Sequence, residues 1–538
     1  MTASQPVVVE GIRWSFSPAG RGAFSSDDLN LAAHLEAKRA SIVKHGQHRT
    51  VYRVELASGI VFWKHCRLNG SRAWWREILR GPKAKLEFAK AVELADRGIA
   101  TIEPLAWGRF DQAWPKGSFL IARALEGTVP LDEHLLHSAG NTFAERKNLT
   151  RLLAAFVAKL HVAGVTHPDL HPGNLLVRKD ASGLQFFLID VHDLELGQRL
   201  SPRARIQNLV LFNRWFQMRS TRTDRYRFWK AYANSQWNKG FARTVEQETD
   251  HSNAKLWSSR DTRCLRVNRH FRKERGAVAS GYAVRELDPT FTKTLLEDPD
   301  RPFSNPDVVL LKDSRSATVC LLDVATSTGT LAMVYKRFRV TRWSDPLADL
   351  FRPSAALRSW SNGHAFLDRG LPTPRPWLML HRKRLGLTTV GYLLCARVEN
   401  FQNLHDATQT FDRLARWQLI ETLARQIRLM HERGASHRDL KAANILVTAS
   451  GDCQFIDLVG VRLQSNISRP LRIRNLTRLN ASFVSSPHVT RSDRLRFLRT
   501  YLAWGLRGQA GWKEWWKQIA LATEAKVQRN ARKNRPLA

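Results

Sequence analysis

H-P-D-L-H-P-G-N-L-L-V runs from His167 to Val177, and H-R-D-L-K-A-A-N-I-L-V from His437 to Val447. Each is followed by a strand-like apolar run that ends in an aspartate, F-F-L-I-D at Asp190 and Q-F-I-D at Asp457. These residue types at this spacing suit phosphoryl transfer. That reaction asks little covalent help of a protein: a carboxylate to orient the acceptor hydroxyl, and hard oxygen ligands for the metal ions that offset phosphate charge. Asp169 and Asp439 are the candidate catalytic carboxylates. Asn174 and Asn444, five residues on, and the later Asp190 and Asp457 are candidate ligands for Mg²⁺, which prefers oxygen donors. Lys441, in the second loop only, is placed to contact a transferring phosphate.

Outward from these loops the two halves of the chain keep step. V-F-W-K-H carries Lys64 and A-M-V-Y-K-R-F carries Lys336, and 33 residues later each half has a turn, R-G-I-A-T at Arg97 and R-G-L-P-T at Arg369. Asn208 lies 18 residues past Asp190, and Asn475 lies 18 past Asp457. D-R-Y-R-F at Asp224 matches D-R-L-R-F at Asp493, with Tyr232 and Tyr501 eight residues on. Equal spacing at so many points is the signature of an internal repeat. Lys64 and Lys336, at the ends of strands, are candidates to reach the α- and β-phosphates of ATP. Glu87, 23 residues after Lys64, is placed to pair with it; the same count from Lys336 falls on Ser359, and no acidic residue stands in that helix before Asp368. The turn that would cover the phosphates keeps one glycine in the first half, Gly46 in K-H-G-Q-H-R-T-V-Y, and none in K-D-S-R-S-A-T-V, where backbone approach is less free. The first half has the better nucleotide grip and the second the more regular loop.

Periodicity gives each half the same order. Strands come first (41–56 and 61–65; 308–323 and 330–337), then a helix (83–97; 355–369), a strand entering a linker (119–125; 391–398), and a long amphipathic helix (144–163; 411–433) leading to the loop. Helices dominate after the second aspartate. The expected fold class is α+β, with two tandem bilobal domains, each a small strand-rich lobe and a larger helical lobe. The expected division is an N-terminal extension (1–35), domain 1 (36–250), a basic linker or extension to domain 2 (251–305), domain 2 (306–520) and a basic C-terminal tail (521–538), whose last stretch, 525–538, is expected to be frayed.

Length allows two to four domains with full cores. Lys and Arg total 85 against 48 Asp and Glu, a net charge of +37, so the surface attracts polyanions: anionic lipid, phosphorylated glycolipid or nucleic acid. No base-reading motif accompanies the charge, and no specific nucleic-acid partner is expected. Five cysteines without pair spacing argue against a disulfide framework and for a reducing, cytoplasmic setting. The start has no signal-peptide pattern, and no run approaches the 18 apolar residues of a membrane span.

The H-x-D-L-x-x-x-N loops, the I-D strands, the R-G-[IL]-x-T turns and the D-R-x-R-F segments together resemble the lipopolysaccharide kinase (Kdo/WaaP-type) family of the protein-kinase-like superfamily, over roughly 41–232 and 308–501. The resemblance implies ATP- and Mg²⁺-dependent phosphorylation of a sugar hydroxyl on a core glycolipid, at the cytoplasmic face of the inner membrane, by a peripheral protein. Three departures stand out. Pro168 replaces the arginine of H-R-D in the first loop; D-V-H and D-L-V stand where D-F-G would; and no A-P-E segment follows. An atypical Ser/Thr protein kinase, and a non-catalytic tandem pseudokinase serving as a nucleotide-binding scaffold, are the alternatives.

Overall fold

In the computed structural model the described residues are 7–46, 48–112, 116–137, 142–181, 183–234, 238–326, 329–339, 353–384, 387–502 and 511–533. Two units divide the chain, Met1–Ser252 and Asn253–Ala538. Each contains a seven-stranded antiparallel sheet followed by helices. The first sheet comprises β1 (Val7–Val9), β2 (Ile12–Phe16), β3 (Ala40–His45), β4 (Arg49–Leu56), β5 (Gly59–Arg67), β6 (Pro104–Phe110) and β7 (Gly117–Arg123), in the order β1-β2-β6-β7-β5-β4-β3. The second comprises β8 (Phe271–Arg275), β9 (Ala279–Val284), β10 (Leu310–Asp313), β11 (Ala317–Thr326), β12 (Gly329–Arg339), β13 (Pro376–Arg384) and β14 (Leu387–Ala396), in the order β8-β9-β13-β14-β12-β11-β10. The two orders are the same permutation, so the duplication is one of topology as well as sequence.

Period-two alternation decides which side chains reach the site. In β5, Val61 and Trp63 are buried, and Trp63 meets Trp14 edge to face at 5.4 Å. Lys64 therefore points to the opposite face, where helix Lys83–Asp96 shares a core with Leu120 and Ala122 through Ala84, Ala91 and Leu94. In β12, Tyr335 is buried and stacks on Tyr392, so Lys336 takes the face of helix Ala355–Asp368. The registers agree as well: Lys64 lies opposite Val51 and Leu120, and Lys336 opposite Val319 and Leu393.

Three segments differ from the sequence expectation. The stretch 1–35, expected as an extension, supplies β1 and β2 to the sheet, and 251–305, expected as a basic linker or extension to domain 2, supplies β8 and β9 as part of the second sheet. In the first case Glu10 and Gly11, with φ of 52° and 69°, close a two-residue hairpin whose alternation buries Trp14. The last stretch, 525–538, expected to be frayed, is helical as far as Ala531, at the end of helix Trp512–Ala531. That helix is held by buried Trp515 and by a hydrogen bond from Asn480 Nδ2 to Thr523 Oγ1 at 3.0 Å. Residues 534–538 lie outside the described residues. All five cysteines are free thiols, and among the described residues no helix is long and apolar enough to cross a membrane.

The helices of each unit hold the loop through one repeated network. The long helices Phe143–Val162 and Arg413–Glu432 carry His161 and His431. His161 bonds Tyr232 Oη at 2.6 Å and Asn208 Oδ1 at 3.1 Å; His431 bonds Tyr501 Oη at 2.8 Å and Asn475 Oδ1 at 3.1 Å. The same Asn208 oxygen accepts from the backbone of His167 at 3.5 Å, and that of Asn475 from His437 at 2.9 Å. The equal spacing of the asparagines and tyrosines in sequence thus reflects one bonded unit, whose histidines sequence reading passed over.

Burial pushes His161 down to about 4 and His431 down to about 3, with Arg205 and Arg472 adding to it against the asparagine bonds. In the unfolded chain both would titrate near 6.5, so between 6.5 and the folded value the unfolded state binds more protons and stability is lost as the pH is lowered. The urea midpoint followed by circular dichroism is expected to drop across that window. The pair His161→Gln and His431→Gln is expected to flatten the drop while costing roughly 1–3 kcal/mol per site at neutral pH.

Candidate active site

Each loop is shaped by its own first histidine. His167 Nδ1 accepts the backbone N–H of Asp169 at 3.1 Å, and its Nε2 lies 3.4 Å from Ile189 O; His437 repeats this with Asp439 at 3.1 Å and Ile456 O at 3.4 Å. An imidazole that accepts at Nδ1 carries its proton on Nε2, and burial holds both rings below the usual histidine range. The asparagines close the other side: Asn174 Nδ2 donates to Asp169 O at 2.9 Å and Asn444 Nδ2 to Asp439 O at 2.8 Å.

A short hairpin brings the second aspartate to the loop. Leu175–Asp180 pairs with Gly183–Leu188, and Leu175 faces Leu188, so Asn174 and Asp190 emerge at one end. Ile445 faces Phe455 in the second unit, with the same result for Asn444 and Asp457. Ile189 N donates to Asn174 O and Ile456 N to Asn444 O, both at 3.0 Å. The R-G-x-x-T turn docks on this hairpin, Thr101 Oγ1 donating to Leu188 O at 2.6 Å and Thr373 Oγ1 to Phe455 O at 2.8 Å. Asp190 (φ 58°) and Asp457 (φ 56°) both take the left-handed conformation, a strained state for a non-glycine residue that aims each carboxylate sideways.

The first unit assembles the expected pair. Lys64 Nζ bonds Glu87 Oε1 at 2.5 Å, and Glu87 is wholly buried, its Oε2 without a partner among the described residues. Asp190 accepts from His192 Nδ1 at 3.0 Å and Arg49 Nη1 at 3.1 Å. The His192 hydrogen bond, with Arg49 and Lys64 nearby, holds Asp190 well below the carboxylate range despite burial. Ligand atoms of Glu87, Asp190 and His192 lie within 4.8 Å of one another. Lys90, one helical turn after Glu87, donates to His192 O at 3.0 Å and Leu194 O at 2.6 Å and fixes the segment beyond Asp190. Asp169 is 81% exposed, with His171 Nε2 3.5 Å from its Oδ2. Gly46 sits in the β3–β4 turn, its N–H donating to Arg49 O at 2.9 Å.

The second unit assembles a different set. Ser359 is buried where Glu87 stands in the first, and its hydroxyl has no partner among the described residues. Lys336 bonds Asp457 Oδ1 instead, at 2.9 Å, and holds that carboxylate down against the burial that raises it. Asp368 is paired with Arg263 at 3.0 Å. Asn362 donates to Leu458 O at 2.8 Å and so takes over the anchoring done by Lys90. Asp439 has Arg478 Nη1 3.5 Å from its Oδ1. Lys441 follows on the loop, its N–H donating to Asp439 O at 3.0 Å. Sequence reading missed Arg49, His192, His171 and Arg478. Arg49 stands in the quoted K-H-G-Q-H-R-T-V-Y turn and His192 in D-V-H, but nothing in the spacing says that either bends toward Asp190.

A family model for the lipopolysaccharide kinase (Kdo/WaaP) family matches residues 34–232 and again 342–501. The 3-deoxy-D-manno-octulosonic acid kinase of Xanthomonas campestris pv. campestris (strain B100) is 38% identical over 145 residues, which cover 26% of this chain and 56% of that protein. Its namesake in Xanthomonas oryzae pv. oryzae (strain PXO99A) is 36% identical over 145 residues, and that of Xylella fastidiosa (strain 9a5c) 31% over 144, each with the same shares covered. The chain thus spans little more than half the length of the curated relatives it matches. With the family pattern present twice, once in each unit, the chain belongs to the lipopolysaccharide kinase (Kdo/WaaP) family.

Proposed function

We propose that this chain is an ATP- and Mg²⁺-dependent kinase of a sugar hydroxyl on a Kdo-containing glycolipid, acting peripherally at the cytoplasmic face of the inner membrane, and that the first unit performs the transfer. The observation that carries the assignment is the Lys64–Glu87 pair beside Asp190, set against Lys336 bonded to Asp457 in the second unit. The acceptor class rests on the family and on the names of the relatives.

In this reading each unit keeps the small strand-rich lobe and larger helical lobe of a kinase, with the cleft between them. Lys64, fixed by Glu87, reaches the α- and β-phosphates, and Arg49 turns from Asp190 to the phosphates from the covering turn. Asp190 and the side-chain oxygen of Asn174 would hold Mg²⁺; the ionised Asp190 carboxylate and the Oε2 of buried Glu87, which has no partner among the described residues, fit a dication. When bound, the ion supplies charge neutralisation on the phosphates. Asp169, exposed at the loop, accepts the hydrogen bond of the attacking hydroxyl, with His171 beside it. In the second unit Lys336 and Arg478 already neutralise Asp457 and Asp439, which favours a unit without transfer activity.

Labelling of a Kdo-containing glycolipid from γ-labelled ATP separates the possibilities. Asp169→Ala is expected to lower the rate by about 10²–10⁴-fold, and Lys64→Ala to raise the KM for ATP as well as lower kcat. Asp439→Ala and Lys336→Ala are expected to stay within about twofold of the parent, well under the effect of losing a general base. Loss on Asp439→Ala with retention on Asp169→Ala would reverse the assignment of units. Full labelling in the double Asp169→Ala, Asp439→Ala variant would refute the roles given to these two aspartates, and transfer to protein serines but not to glycolipid would refute the acceptor.

A further inference from the structure

Helix Ser71–Arg80, S-R-A-W-W-R-E-I-L-R, faces the wrong way for a surface helix of a water-soluble protein. Its buried residue is the acid, Glu77, while Trp75, Ile78 and Leu79 are 58%, 44% and 79% exposed. At 3.6 residues per turn those three fall on one outward face, and Arg72, Arg76 and Arg80 run along its border. An ordinary amphipathic helix turns its apolar stripe to the core and its charges to water. Gly70 and Gly81 bracket the helix with φ of 85° and 84° and ψ of 162° and 172°, a region of backbone space open essentially to glycine alone, and nothing lies within 4 Å of where a Cβ would stand at either. Two such corners let the helix leave and rejoin the unit with its apolar side outward.

We propose that Ser71–Arg80 docks the first unit on an anionic lipid bilayer. Trp75, Ile78 and Leu79 enter the headgroup–acyl boundary, and Arg72, Arg76 and Arg80 lie against the lipid phosphates. Charge complementarity selects this occupant: the border of the exposed apolar face carries three arginines, the helix's one acid is turned away from it, and the whole chain carries +37. A second copy of so basic a chain brings arginine against arginine at the same face, which disfavours self-association there. The helix is bounded in sequence by β5, which carries Lys64, and by the helix that carries Glu87. Docking through it therefore holds the Lys64–Glu87 pair at a fixed distance from the membrane surface. The proposal deepens the glycolipid-kinase reading but is measured without turnover, so the two can fail separately.

Vesicle co-sedimentation of the full-length protein tests it. Vesicles of phosphatidylcholine with about one-third phosphatidylglycerol provide the anionic surface. The parent protein is expected to sediment with them, and a fraction is expected to remain bound at about 0.5 M salt, where exposed charges are largely screened. Trp75→Ser with Leu79→Ser is expected to abolish the salt-resistant fraction and lower the partition coefficient at least tenfold, with an unchanged melting curve because both side chains are exposed. Arg72→Gln with Arg76→Gln is expected to remove the preference for the anionic lipid. Salt-resistant binding that survives the Trp75/Leu79 change overturns the proposal. So does absence of vesicle binding by the parent, or a change confined to self-association in sedimentation velocity, which would assign the face to a second copy.

Discussion

A neutral imidazole holds each H-x-D-L loop in shape. His167 and His437 accept the N–H of the aspartate two residues on, and turn Nε2 toward the carbonyl just before the second aspartate. One ring thereby ties together the two chain segments that carry the acidic groups. A protonated ring could not accept at Nδ1, so burial, which keeps the ring neutral, is a condition of the loop's shape. The rest of each unit extends the same tie: the asparagine that receives the histidine backbone is bonded to a second buried histidine and through it to a tyrosine.

From this shared frame the units part at one position. With Glu87 present, Lys64 has a carboxylate on the helix and Asp190 is left to Arg49 and His192. With Ser359 there, the part-buried lysine is bonded to Asp457. A single exchange on a helix thus goes with a change in what a residue about a hundred positions away is bonded to. Burying either an unpaired ammonium or an unpaired carboxylate costs more than pairing the two, so the rearrangement follows from desolvation.

Much of this was legible in the sequence because spacing carried it. The lysines, the R-G-x-x-T turns, the loops, the hairpin aspartates and the distal asparagines and tyrosines recur at equal intervals, and each coincidence marks a contact that both units make. What escaped was of two kinds. The first hairpin of the first sheet was passed over because V-V-V-E-G-I-R-W-S-F is short and its partner, β6, lies some ninety residues on; local pattern does not report a distant strand. Arg49, His192 and Arg478 were missed because they act by direction, which a left-handed aspartate or a helix face sets and which composition does not.

The strand order bears on how the chain is made. β2 has β1 on one side and β6 on the other, and β9 likewise has β8 and β13. During synthesis each opening hairpin leaves the ribosome long before the strand that will cover its open edge, and a bare hairpin is marginal in water. Trp14, fully enclosed in the finished sheet, must wait for Gly108 and its neighbours in β6 to arrive. Closure of each sheet is therefore a non-local event that waits on strands made late in that sheet, and it happens twice in one polypeptide.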